Sequence, residues 1–151
     1  MRKFAILAVT ALTLTSGAQS AFAGDAAAEA EAEAEATYQD IQKTYGFVPG
    51  YAKSYPKHAI SGAWQMSKAL EMGAENKLNS KTKALINLAV AAQIPCRYCV
   101  WIETEVAKKS GATQDEIAEA VAQAAYVRHW STVLNGMQVD FDEFKKEFGG
   151  Q

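Results

Sequence analysis

The sequence predicts an all-α protein, one compact bundle of about six helices with a Cys-x-x-Cys pair at the start of an interior helix. Three observations carry this. From Thr37 onward there is no hairpin signal and no β-branched alternation long enough to make a strand. Glycines at 46, 73, 111 and 136 punctuate the chain at helix-length intervals, and Pro49, Pro56 and Pro95 restart it. Thr113-Gln114-Asp115-Glu116 has the T-x-x-E form of a capping box.

Taken in order, residues 1–23 read as a cleavable export signal. Met1-Arg2-Lys3 is a short positive start, Phe4 to Leu14 is an apolar run, and Ala21-Phe22-Ala23 is an A-x-A cleavage site. The apolar run falls short of the roughly 20 residues that span a bilayer, so no membrane association is expected after cleavage. Cleavage after Ala23 leaves 128 residues, enough for a single packed core. The implied location is the periplasm or the secreted fraction. Residues 24–37 follow as an acidic Ala/Glu linker in which Glu29, Glu31, Glu33 and Glu35 alternate with alanine. Nothing there is large enough to bury, and on a helix these glutamates become like-charge neighbours at i,i+4. The tract is therefore expected to be a solvated, poorly ordered tether.

The helical domain is expected over residues 38–151. Tyr38 to Tyr45 makes a first segment stopped by Gly46, and Pro49-Gly50 makes a turn. A helix then runs from the region of Pro56 to about Met72, with Ile60, Trp64 and Leu70 at helical spacing. Asn79 or Ser80 caps the next, whose interior from Ala84 to Ala92 is apolar almost all round, which places it at the centre of the bundle. Pro95 restarts the chain as a helix to about Lys109. The capping box at Thr113 opens a long helix towards Leu134, closed by Asn135-Gly136, and Asp140 caps a last short one carrying Phe141, Phe144 and Phe148.

Charge excludes one class of partner. Without Arg2 and Lys3 the formal charge moves from −2 to −4, and without Asp25 and the four glutamates of the linker it becomes +1. A nearly neutral domain with no basic stripe gives no reason to expect a nucleic-acid partner.

Cys96 and Cys99, the two cysteines of the chain, sit three residues apart. On a helix that spacing puts the Cα atoms roughly 5 to 6 Å apart, inside the disulfide window. A structural staple is the weaker explanation, because the loop it closes encloses almost nothing. Redox work suits the position better. The free N–H groups and partial positive charge of a helix start favour a thiolate, and Arg97 adds a cation. His58 and His129 could complete a Cys2His2 set, but their spacing fits no zinc finger. Covalent haem needs histidine where the chain has Val100, and a thioredoxin motif needs a βαβ context. No cofactor or metal is expected.

The run Leu78 to Ala92, followed by Ile94-Pro95-Cys96-Arg97-Tyr98-Cys99, Ala107-Lys108 and Gly111-Ala112-Thr113, resembles the core motif of the carboxymuconolactone decarboxylase family. With both cysteines present it is most similar to the AhpD-like, alkylhydroperoxidase branch. The resemblance covers roughly residues 45–148, including Tyr45-Gly46-Phe47-Val48-Pro49 and Arg128-His129-Trp130-Ser131-Thr132. It implies an all-helical fold assembled as a homotrimer or homohexamer, and a CxxC that reduces peroxides or passes electrons to a peroxiredoxin-type partner. It also implies that Cys99 is oxidised to the sulfenic acid and Cys96 resolves it, whereas helix electrostatics alone favour Cys96 as the reactive thiol. The chain departs from that branch at two positions. A glutamate twelve residues before the first cysteine and a histidine four after the second form the family's proton relay; here they are Ala84 and Glu103.

Glu103 is four residues beyond Cys99 and seven beyond Cys96, on one helical face. Ionised, it repels a thiolate; desolvated, it can shuttle the thiol proton. Acid–base substitute for the histidine and solvated surface glutamate both remain open. His129 is a second candidate relay or a buried structural histidine, and His58 reads as surface. Tyr98 and Trp101 read as a wall of the thiol pocket, a subunit interface or plain core. The functional expectation is an exported thiol-dependent peroxidase and dithiol–disulfide oxidoreductase in antioxidant defence. Its partners are a peroxide or disulfide substrate and a dithiol reductant protein. The alternative is a non-enzymatic oligomeric scaffold, or a small-molecule binder, with a resting disulfide. A lactone decarboxylase is the weakest reading, since that branch does not rely on the CxxC.

Overall fold

The computed structural model describes residues 16–150, with side chains described from residue 24 onward. The described part of the chain is helical and contains no strand. Seven helices follow one another: α1 (Ser16–Tyr45), α2 (Gly50–Ser54), α3 (Lys57–Met72), α4 (Ser80–Gln93), α5 (Arg97–Lys109), α6 (Gln114–Gly136) and α7 (Phe141–Glu147). The seventh, beyond the six or so expected, is the five-residue α2, at the position of the expected Pro49-Gly50 turn. Among the described residues no helix is long and apolar enough to cross a membrane. Of the expected export signal, residues 1–15 lie outside the described residues.

The caps form where the sequence places them. Asn79 accepts the Thr82 N–H at 2.9 Å at the head of α4. At α6 the box is closed in both directions, with Glu116 N–H donating to Thr113 Oγ1 at 3.1 Å and Thr113 N–H to Glu116 Oε2 at 2.7 Å. Asp140 caps α7 through the Glu143 N–H. Gly46 and Gly111 end their helices with φ of 83° and 84°, a conformation that glycine adopts without a Cβ clash. The expected stop at Asn135-Gly136 is displaced: α6 continues through Gly136, Met137 is its C-cap, and Gln138 takes the left-handed turn at φ 54°.

The chain forms two compact units, one through Leu70 and one from Glu71, and the single core expected is accordingly two buried clusters. In the first unit Ala34, Ile41, Ala52, Ile60 and Trp64 pack together, with Tyr38 and Val48 at the margin. Trp64 Nε1 donates to Asp40 Oδ2 at 2.7 Å, and Lys68 pairs with the same carboxylate. The acidic tract is not the tether expected. It is part of α1, because alanine and glutamate are strong helix formers, Ala34 is fully buried, and Lys57 of α3 pairs with Glu31, offsetting the like-charge crowding.

In the second unit α4 packs against both α5 and α6. Ala84, Leu88, Ala107 and Ile117 form the buried cluster, with Leu85, Val100, Val106 and Ala112 against it. Alanines at 84 and 107 let α4 and α5 approach closely. The central position expected for α4 holds on two sides, while Ile86 and Val90 on its remaining face are about half exposed.

Candidate functional site

The cysteines occupy the junction between α4 and α5. Cys96 is the N-cap residue of α5, and its own N–H donates back to Ala91 O in the last turn of α4 at 3.1 Å. The dithiol is therefore anchored to two helices. Pro95, expected to open the helix, lies outside it; Cys96 closes the first turn by accepting the Val100 N–H on its carbonyl at 2.9 Å. The Cys96 side chain takes the role usually filled by Ser, Thr, Asp or Asn, with Sγ accepting the Cys99 N–H at 3.2 Å. The two residues are joined in a disulfide with Cα atoms 5.3 Å apart, within the separation the helical spacing predicts. Arg97 lies over the Tyr98 ring at 5.8 Å.

Glu103 stands one helical turn beyond Cys99 and is partly buried. Burial raises its carboxyl pKa above the ordinary value of 4.5; a hydrogen bond from Asn87 opposes the rise and the nearby Glu71 charge adds to it. Asn87 Nδ2 also lies 3.4 Å from Glu71 Oε1, so one amide serves two carboxylates. Lys83, one turn earlier on α4, donates to the backbone carbonyl of Glu71 at 2.6 Å and holds the end of α3 in place.

Asn87 and Glu71 were not among the candidates read from the sequence. One signal for Asn87 was present: it is the lone polar residue in the apolar run from Ala84 to Ala92. Glu71 carries no such mark, since its approach to Asn87 depends on how α3 meets α4. Ala84, where a relay glutamate would stand, is 1% exposed inside the apolar cluster and offers no proton-carrying group.

The other candidates are placed elsewhere. His129 is exposed, not a buried structural histidine, and its ring stands edge-on to Trp130 at 5.2 Å. The residue that reaches α4 from this part of α6 is Arg128, through Gln93 Oε1 at 2.8 Å, while Gln93 Nε2 donates to Ala124 O at 2.6 Å. His58 is exposed. Tyr98 and Trp101 are exposed too, not core. Trp101 lines an open groove of about 520 Å³ with Pro95, Arg97, Thr104 and Lys108. On α5 that face is rotated by about 150° from the face of Cys99 and Glu103. This groove thus lies on a different face of α5 from Cys99 and Glu103. Among the described residues no three His, Cys, Asp or Glu side chains converge in a way that could hold a metal ion.

The arrangement is a disulfide at a helix N-terminus with a partly buried carboxyl one turn away. A model of the carboxymuconolactone decarboxylase family matches residues 63–140. Uncharacterized protein 4 in the cox locus of Paracoccus denitrificans is 38% identical over 55 residues, a match covering 36% of this chain and half the length of that relative. The crystal structure of the alkylhydroperoxidase AhpD core from Rhodospirillum rubrum matches with a TM-score of 0.65 and 28% identity, over 79% of this chain and 90% of that one.

Proposed function

Because the chain belongs to the carboxymuconolactone decarboxylase family, on its AhpD-like branch, we propose that it is an exported dithiol–disulfide oxidoreductase that reduces peroxides. The observation that carries this reading is the Cys96–Cys99 disulfide at the head of α5 with the desolvated Glu103 carboxyl one turn further on.

In the reduced protein the Glu103 carboxylate takes the proton of the Cys99 thiol. The thiolate attacks the terminal oxygen of ROOH and the O–O bond breaks. The alkoxide leaves with the electron pair and receives the proton from Glu103, giving ROH and Cys99 sulfenic acid. The Cys96 sulfur then attacks Cys99 Sγ; the S–O bond breaks and the hydroxide leaves with the Cys96 thiol proton as water. A dithiol donor restores the pair by attacking Cys99 Sγ, and Cys96 leaves as a thiolate that keeps the Cys99 N–H as its hydrogen-bond donor. The donor's second thiol completes the exchange. In this scheme the helix terminus stabilises Cys96 as leaving group, while Cys99 is the sulfur that is attacked. His129 is a further candidate relay residue, reachable only if α6 presents it across the pair in an assembled form.

Exposed Ile86 and Val90 on α4 and Val127 and Trp130 on α6 support assembly of several copies, as a trimer or hexamer. The apolar Ala84 favours a second reading, an oligomeric scaffold or small-molecule binder whose disulfide rests oxidised. Turnover of a hydroperoxide with a supplied dithiol reductant separates the two. Cys99→Ser is expected to abolish turnover; unchanged turnover in that variant would falsify the peroxidase reading. A reduction potential beyond the reach of cellular dithiol donors would favour the scaffold.

A further inference from the structure

The two cysteines are held by different means. Cys99 lies inside α5 and follows its helical path, whereas Cys96 is the N-cap and stands at the edge of that helix. Cys96 is tied backwards, to the end of α4, by its N–H on Ala91 O at 3.1 Å; Ile94 N–H reaches Val90 O at 3.1 Å, and Pro95 between them has no N–H to add. α4 carries no basic residue in its last turn that could satisfy its final carbonyls. A residue of α6 takes that role. Arg128 donates from Nε to Gln93 Oε1 at 2.8 Å and from Nη2 to Gln93 O, the carbonyl of the last residue of α4, at 3.4 Å. Gln93 Nε2 donates to Ala124 O at 2.6 Å, so the Gln93 amide is gripped at both its oxygen and its nitrogen by points one turn apart on α6.

We propose that Arg128, acting through Gln93, is a positioning residue of the dithiol: it holds the end of α4, and with it Cys96, in the register at which the Cys96 and Cys99 sulfurs meet. The fork of the guanidinium matters more than its charge, because two N–H groups of one planar group grip two oxygens of a single residue. A Cys96 freed from that hold spends less time within reach of Cys99. The effective concentration of one sulfur against the other falls, and the disulfide becomes easier to reduce. The step so served, attack of Cys96 on Cys99 sulfenic acid, rests on the peroxidase reading; the hold on the disulfide does not.

The test equilibrates the full chain with glutathione, where two GSH reduce the Cys96–Cys99 disulfide and leave as one GSSG, and reads the oxidised fraction by mass after thiol alkylation. Arg128→Ala is expected to shift the equilibrium towards the dithiol by roughly two- to tenfold, the weight of one net hydrogen bond. Arg128→Lys keeps the charge and loses the fork, and should shift it nearly as far; a lysine variant that matches the parent overturns the fork as the cause. Gln93→Ala should act like Arg128→Ala, and the double variant should go no further than either, because the two residues make one contact. Additive shifts overturn the route through Gln93. Amide exchange of the oxidised proteins should quicken at Ile94 and Cys96 in Arg128→Ala while Leu88, in the buried cluster, stays protected. Equal quickening at Leu88, or an unmoved glutathione equilibrium, overturns the positioning role. Shifted equilibria in a chain whose parent turns over no hydroperoxide defeat the peroxidase reading alone.

Discussion

Glu103 is the residue at which stability and chemistry are expected to oppose each other. Its carboxyl pKa is raised, first by burial. The native state therefore keeps a proton that the unfolded chain has already released, and stability falls as pH rises from the ordinary value of 4.5 through the raised one. Glu103→Gln removes that loss. Below pH 4.5 the variant and the parent should melt alike; at pH 7 the variant should melt at the same or a higher temperature while losing roughly 10²-fold or more in peroxide turnover, the usual size of a general acid–base contribution. Parallel melting curves across this range would mean that the side chain is solvated. Position and neighbours explain what was legible at this scale. The i+4 relation of Glu103 to Cys99 is visible in the sequence, as is the helix start at the cysteines, because both follow from local geometry. The Asn87 bridge is not, because it depends on which face of α4 meets α5.

At the scale of the elements, the close approach of α4 and α5 explains why position 84 carries a small apolar residue. Ala84 and Ala107 are at most 1% exposed and pack with Leu88 and Ile117. A glutamate at 84 would enter a buried apolar cluster, so Ala84→Glu is expected to destabilise the fold by more than about 3 kcal/mol, as burial of an unpaired charge does. It should not raise peroxide turnover. A stable, more active Ala84→Glu protein, by chemical denaturation and a peroxide assay, would show that the site can accept the glutamate after all. The head of α6 answers a different test. Thr113→Ala opens the capping box and should cost about 0.5–2 kcal/mol, read as a lower denaturation midpoint at unchanged slope. Lys81 and the Thr113 N–H hold the Glu116 carboxyl below its ordinary range, so this part of the stability is present above the unfolded-state value and is lost as pH falls through the depressed one. The caps of α4, α6 and α7 were legible because they are short-range patterns. The helix over the acidic tract was not, because its stabilisation comes from the cluster that Ala34 shares with Ile60 and Trp64 and from the Lys57–Glu31 pair, which are partners far along the chain.

For the molecule as a whole, the decisive feature is an apolar surface that the second unit leaves open. Val90 and Val127 line a shallow groove of about 370 Å³ with Ala89, Ala124 and Ser131, and Ile86 and Trp130 are exposed on the same two helices. A patch of this kind is costly to leave in water, because each buried apolar Å² contributes roughly 25 cal/mol. It also accounts for the apolar run of α4, whose residues at 86 and 90 exceed what packing against α5 and α6 requires. If copies of the chain cover this face, Val90→Asp places an unpaired charge in the interface and should convert the assembly to monomers, visible as a drop in mass by light scattering. The Cys96–Cys99 pair sits at the end of the same helix, bonded through Cys96 N–H to Ala91 O. Loss of assembly should therefore also lower peroxide turnover per chain, since the residues around Ala91 would gain freedom. An unchanged mass in Val90→Asp would place the contact between copies elsewhere and leave the groove between α4 and α6 as an open surface. A monomer with full turnover would show instead that the dithiol and Glu103 act within a single chain and need nothing from a neighbour.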